Sequence, residues 1–194
     1  MLAFFKYIKL KSLNKKAESK KSLAQDIIAA IDVKKGQYVA DIGSGGGYFA
    51  FEFAKKVSPA GLVYALDIDS FNLDYINKEA LKRGIQNIKT GSIAPSGKAE
   101  LKENSIDVLF FRNVFHHLKS PSEYFANLKK YLKNEAKVVI IDYNEKKGFS
   151  SLFHHYTEEK SVARNMEKAG YRMERAYDFL PGQFFHIYRA GELL

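Results

Sequence analysis

The chain contains no cysteine among its 194 residues, which excludes disulfides and thiolate chemistry. No apolar run approaches the roughly 18 residues of a membrane span. The opening Met1-Leu-Ala-Phe-Phe-Lys6-Tyr-Ile-Lys9-Leu-Lys11 is not expected to act as a signal peptide: lysines interrupt its apolar stretch and no small-residue cleavage site follows. Repeats, low-complexity tracts and His-Glu-x-x-His metal spacing are also missing, so no metal site is expected. What remains is an ordinary globular composition, with 46% hydrophobic and 27% charged residues. It predicts one cytoplasmic domain over residues 22–194 with a substantial core.

Charge is abundant but uneven. Residues 1–21 hold seven lysines against the single acid Glu18, and so carry most of the net charge of +9. This basic arm has three readings. It could touch an anionic membrane surface through Phe4, Phe5, Tyr7 and Ile8, or contact nucleic acid. The reading preferred here is a partly helical leader that docks its aromatic rings on the domain.

The densest signal is Tyr38-Val-Ala-Asp41-Ile-Gly43-Ser44-Gly45-Gly-Gly47-Tyr48-Phe49. An apolar strand ends in an acid, turns through glycines and enters an amphipathic helix. Glycine permits positive φ and lets a backbone approach a ligand closely. The helix start turns free N–H groups toward the same place. A dinucleotide fingerprint needs a sixth-position glycine, where this chain has Tyr48. A carboxylate at Asp41 would also repel a pyrophosphate and attract an ammonium or sulfonium. A nicotinamide cofactor is therefore disfavoured.

A second acid, Asp67, closes the apolar stretch from Leu62 and lies 24 positions after Gly43. An acid so placed takes ribose hydroxyls in doubly wound sheets, and Ile68 would flank the base. Asp69 is expected to cap the helix beginning at Ser70.

From Ser22 onward, strands are expected at 37–42, 62–67, 86–90, 105–111 and 136–142, with helices at 22–32, 46–57, 70–83, 121–133 and 156–169. Such alternation predicts βαβ units and a parallel sheet. Residues 171–180 and 183–189, joined through Pro181-Gly182, predict a closing hairpin in which Gln183, Phe184, Phe185, His186 and Tyr188 are mostly core.

The Asp-x-Gly-x-Gly-x-Gly loop, the second acid and the closing hairpin resemble the class I S-adenosylmethionine-dependent methyltransferases over about residues 22–190. The resemblance implies an α/β, doubly wound, mostly parallel seven-stranded sheet with a C-terminal antiparallel hairpin. It implies S-adenosylmethionine as cofactor, held by Asp41, Gly43, Ser44, Gly45, Asp67 and Ile68, with S-adenosylhomocysteine as product. The family often has an acid after its third strand. Here Ser92 and Ile93 stand there and would meet the adenine instead.

Asp107-Val-Leu-Phe-Phe-Arg112-Asn113-Val-Phe-His116-His117-Leu118 is similar to a stretch of the small-molecule, ubiquinone/menaquinone C-methyltransferase-like group. By that likeness Arg112 and Asn113 line the methionyl end and His116 faces the cleft as base or orienter. The alternative for His116 is packing under the following helix, and His117 is expected to be structural. Asp142 and Tyr143, at the end of the fifth strand, are placed to contact substrate, with Tyr143 taken as catalytic alongside His116. Thr157 resembles a cap box, and Tyr156 and Arg164 are further candidates for the acceptor pocket.

Without cysteine, RNA cytosine-C5 methylation through a cysteine nucleophile is excluded. The Asn/Asp-Pro-Pro-Tyr motif for exocyclic amines is replaced by Arg112-Asn-Val-Phe. The expectation is a methyltransferase acting on a small molecule. Its rivals are a nucleic-acid or protein methyltransferase recruited by the basic arm, and a cofactor-binding protein without turnover.

Overall fold

The alternation of helix and strand expected after Ser22 is present in the computed structural model, which describes residues 2–144 and 157–190. These fall into two units, residues 1–94 and 95–194.

In the first unit, α1 (Leu2–Glu18) and α2 (Ala24–Ile31) precede β1 (Tyr38–Ile42), α3 (Tyr48–Val57), β2 (Leu62–Asp67), α4 (Ser70–Lys82) and β3 (Ile88–Ser92). The strands run parallel in the order β3-β2-β1, with Asp41 beside Ala65 and Asp67 beside Ser92. Ile27, Ile28 and Ile31 of α2 recur at helical spacing and are buried, as are Phe49, Phe51 and Phe53 of α3. Full burial of side chains of this size stabilises by about 1.5–3 kcal/mol each. Asp69 caps α4 as expected, its carboxylate accepting from the Phe71 N–H at 3.0 Å.

The basic arm is helical through most of its length, and of its aromatic rings Tyr7 packs on the first unit while Phe4 and Phe5 do not. Leu10 is buried, Lys6 reaches Asp69 at 2.9 Å, and the Tyr7 ring packs against Tyr75. Phe4 and Phe5, expected to dock, are instead 64% and 61% exposed. The seat is made by Leu10 and the polar Asn14, and the rings on the opposite side of the helix are turned away.

In the second unit, β4 (Ile106–Arg112) leads through a single 3₁₀ turn at Phe115–His117 into α5 (Pro121–Leu128). Next come β5 (Leu132–Tyr143), α6 (Glu159–Lys168), β6 (Tyr171–Tyr177) and β7 (Gln183–Ala190). β4 and β5 are parallel, and β7 lies antiparallel between β5 and β6. Phe184, Phe185, His186, Ile187 and Tyr188 of β7 are all buried. Successive side chains alternate between the two faces of a strand, so this run places buried residues on both faces of β7.

Two expectations need correction here. The helix expected over 121–133 stops at Leu128, and β5 begins at Leu132 instead of 136. Leu132 pairs with Ile106, and the register then shifts so that Val108 faces Lys137. The early pairing draws the end of the apolar helical pattern into the strand. Thr157 is not a helix cap: its N–H donates to the Tyr143 carbonyl at 2.9 Å, and Glu158 occupies the cap position without a side-chain bond. His154, His155 and Tyr156 lie outside the described residues. Among the described residues, no helix is long and apolar enough to cross a membrane.

Candidate active site

The glycine loop after β1 is built around carbonyl and carboxylate acceptors of β2. Gly43 and Ser44 both donate their N–H groups to the Leu66 carbonyl, at 2.7 and 3.1 Å. The Ser44 hydroxyl donates to the same oxygen at 3.3 Å. The Gly45 N–H donates to Asp67 Oδ2 at 2.9 Å. Three glycines, Gly43, Gly45 and Gly47, have φ of 68°, 52° and 80°, a region that strongly favours glycine. At Gly47 a Cβ would also stand 2.8 Å from Ile76 Cγ1. The turn is therefore fixed by its own geometry, and Tyr48 opens α3 immediately behind it.

Two acids lie beside this loop. Asp67 is 6% exposed, and its Oδ1 accepts from the Asp69 N–H at 3.0 Å while Oδ2 takes Gly45. Asp41 is 4% exposed, and among the described residues its buried Oδ2 has no hydrogen-bond partner. Burial first, and the nearby Asp67 charge second, push the Asp41 carboxyl up to about 7, against a pull downward from the Ala50 N–H. An unpartnered buried carboxylate oxygen is costly to ionise. It is also a ready acceptor for a ligand that brings positive charge. The residues present fit a cationic cofactor and do not fit an anionic one.

In the second unit a separate polar cluster gathers at the ends of β4 and β5 and the start of β7. Asn113 follows β4 with φ +58°, an uncommon conformation that asparagine tolerates better than most residues. Its side-chain oxygen accepts from Gln183 Nε2 at 2.6 Å, and its amide donates toward the Tyr143 hydroxyl at 3.5 Å. Gln183 Oε1 in turn accepts from Arg112 at 3.3 Å. Beside this chain stands a His–carboxylate pair: His116 Nδ1 lies 2.8 Å from Asp142 Oδ1, and the His116 backbone N–H donates to Asp142 Oδ2 at 3.1 Å. Asp142 is fully buried and also accepts from the Tyr143 N–H at 2.8 Å.

The sequence-predicted residues thus fall into two groups. Asp41, Gly43, Ser44, Gly45 and Asp67 meet at one loop of the first unit; Arg112, Asn113, His116, Asp142 and Tyr143 meet in the second. Ile68 is 78% exposed at the end of β2, and Ser92 is exposed at the end of β3. Ile93 is buried, its N–H directed at the Asp67 carbonyl at 3.3 Å. Asp142, expected to contact substrate, is buried, and its two oxygens are engaged by His116 and the Tyr143 N–H. Arg164 lies in an exposed ion pair with Glu158 on α6.

Two residues at these clusters stand out: Asn14, which the sequence left unmarked, and Gln183, expected to be mostly core with the rest of its strand. Asn14 of α1 donates to the Gly46 carbonyl at 2.7 Å, and its Oδ1 lies 2.3 Å from where a Gly46 Cβ would stand. Nothing in a lysine-rich segment distinguished it. Gln183 did carry a signal, as the one uncharged polar side chain heading the run Phe-Phe-His-Ile-Tyr.

A family model described as a methyltransferase domain matches residues 33–178. Over 115 residues the chain is 30% identical to a tRNA U34 carboxymethyltransferase of Aeromonas hydrophila, covering 59% of this chain and 34% of that protein. It is 29% identical over 121 residues to phosphoethanolamine N-methyltransferase 3 of Arabidopsis thaliana, covering 61% and 24%. The chain therefore spans about a third or less of these curated relatives. A solved S-adenosylmethionine-dependent methyltransferase from Aquifex aeolicus superposes with a TM-score of 0.79 at 26% identity, covering 92% of this chain and 97% of that one. The mostly parallel, seven-stranded α/β fold with its antiparallel C-terminal strands is thus a methyltransferase fold, shared with that solved structure.

Proposed function

The chain belongs to the methyltransferase-domain family, and we propose that it transfers the methyl group of S-adenosylmethionine to a small-molecule acceptor. The observation that carries the cofactor half is Asp41, whose buried Oδ2 lacks a donor beneath a loop of positive-φ glycines. S-adenosylmethionine carries a sulfonium and an ammonium and no phosphate, so its charge matches that oxygen. When bound it supplies a methyl group already activated for displacement.

The chain's own residues then have distinct tasks. Asp41 neutralises the cationic end of the cofactor. Asp67, with lone pairs beyond those taken by Gly45 and Asp69, accepts from the ribose hydroxyls. The Gly43-Ser44-Gly45 backbone shapes the loop, while Ile68, Ser92 and Ile93 bound the adenine. Arg112 and Asn113 hold the methionyl carboxylate. His116 and Tyr143 serve the acceptor. Asp142 fixes His116 Nδ1 as the donor, which puts the basic lone pair on Nε2, where it takes a proton from the acceptor. Tyr143, hydrogen-bonded to Asn113, orients the acceptor.

The named relatives point to two acceptor classes, a tRNA and a small phosphorylated amine. The small-molecule reading is supported by Arg112-Asn-Val-Phe standing where exocyclic-amine enzymes have Asn/Asp-Pro-Pro-Tyr. Incubation with methyl-labelled S-adenosylmethionine and fractionated cell extract tests it. Label is expected in the small-molecule fraction, with S-adenosylhomocysteine released. Label in RNA or protein overturns the acceptor class. Cofactor bound with no label in any fraction overturns the activity.

A further inference from the structure

Helix α1 has one side turned to the first unit and one side turned away. Leu10 and Asn14 face inward, the first buried and the second bonded to Gly46. At 3.6 residues per turn, the opposite surface carries two neighbouring rows. One runs through Phe4, Ile8, Ser12 and Lys15, and the other through Phe5, Lys9, Ser12 and Lys16. Phe4, Phe5 and Ile8 are 64%, 61% and 47% exposed. They form a contiguous apolar cluster on the first two turns, where a soluble surface usually scatters such side chains singly.

Lysines follow directly. Lys9, Lys15 and Lys16 share that outer surface, and Lys20 and Lys21 continue it on the exposed 3₁₀ turn at Lys20–Ser22. Among the described residues, Lys15, Lys16, Lys20 and Lys21 form no ion pair with a carboxylate. The outer face of α1 is thus apolar at one end and cationic along the rest, while its inner face is already occupied.

The chemistry of an occupant follows from needing both features. A second copy meeting this face symmetrically would set lysines against lysines. A nucleic acid would use the lysines and leave the Phe4–Phe5–Ile8 cluster in water. A phosphate-bearing lipid surface uses both, because rings and aliphatic side chains enter the acyl boundary while lysine stems lie along it and place their ammonium groups among the headgroups. We propose that the outer face of α1 is a docking surface for an anionic membrane, with Phe4, Phe5 and Ile8 inserted and Lys9, Lys15 and Lys16 over the headgroups. This does not depend on the acceptor, since the inner face and the glycine loop take no part in the contact.

The chain has no tryptophan, so Phe4→Trp makes a reporter at a single site. With vesicles of phosphatidylcholine and phosphatidylglycerol, its emission is expected to shift to the blue, and with phosphatidylcholine alone it is not. In sedimentation with the mixed vesicles, the 194-residue chain is expected to bind, and less tightly as salt rises. Phe4→Ser, Phe5→Ser and Ile8→Ser together should weaken binding roughly tenfold or more. Lys9→Glu, Lys15→Glu and Lys16→Glu together should weaken it about a hundredfold, at about fivefold or more for each lysine. S-adenosylmethionine binding, unchanged in both variants, verifies that they are folded. No blue shift and no sedimentation with anionic vesicles would overturn the proposal. So would RNA binding tighter than vesicle binding and indifferent to the serine substitutions, or a concentration-dependent dimer that the serine substitutions abolish.

Discussion

Asp41 is the residue on which the cofactor assignment turns, and its ionisation makes a test. In the ligand-free protein its carboxyl sits at about 7 because it is buried beside Asp67. A cationic ligand needs the ionised form, so below pH 7 binding must first expel a proton. S-adenosylmethionine affinity is expected to fall by up to tenfold for each pH unit below 7 and to level off above it. Calorimetry near pH 6 in buffers of different ionisation enthalpy should show proton release on binding. Asp41→Asn should bind more weakly at pH 8, with the pH dependence gone. Affinity that stays flat from pH 5.5 to 8 in the unaltered protein would remove the cation from this site. Strand-ending acids were the most legible part of the site, because a carboxylate closing an apolar run has few structural uses. Their hydrogen-bond state was not legible. That Asp67 is partnered twice and Asp41 Oδ2 not at all among the described residues depends on which loop N–H groups turn toward each.

At the scale of elements, strands bounded by buried apolar runs were read to within a residue or two: 62–67 was expected and Leu62–Asp67 is observed. The misreadings arose where pairing overrode local pattern, as where Leu132 joins Ile106 and shortens the helix before it. Helix α1 was legible as a charge imbalance and a partly helical leader, but not in how it is seated. Its seat combines the buried Leu10 with a polar contact between Asn14 and the Gly46 carbonyl, 32 residues apart in the chain, which leaves no continuous apolar stripe to read. That seat predicts a graded response to substitution. Asn14→Ala removes a hydrogen bond worth about 1 kcal/mol and should speed tryptic cleavage at the α1 lysines about fivefold. Gly46→Ala should do more, because its Cβ would meet the Leu10 carbonyl at 2.8 Å as well as Asn14. Ser12→Ala, on the outer surface, should change nothing. Equal cleavage rates in all three would mean that α1 is not seated on the glycine loop.

For the whole molecule, two buried groups set opposing slopes of stability against pH. Asp41 ionises at about 7 when folded and near 3.8 when unfolded. The folded state therefore holds the extra proton between those values, and the stability this confers disappears as pH rises through 7. His186 of β7 does the reverse. Burial lowers it below its usual 6.5, although Glu159 Oε1, 2.7 Å from its Nε2, pulls it upward. Its unfolded form takes the proton first, so stability falls as pH drops below 6.5. Asp41 spans more than three pH units, and its shift has no ion pair to offset it, so it should dominate. Denaturant unfolding of the ligand-free protein should then show stability rising from pH 8 to pH 6. Asp41→Asn should invert the slope, leaving the His186 contribution, with stability falling between pH 7 and 5. Saturating S-adenosylmethionine should also flatten the rise, by holding Asp41 ionised in the folded state. A ligand-free protein that loses stability from pH 8 to 6 would mean that Asp41 already carries its charge there, and the cofactor would then release no proton on binding.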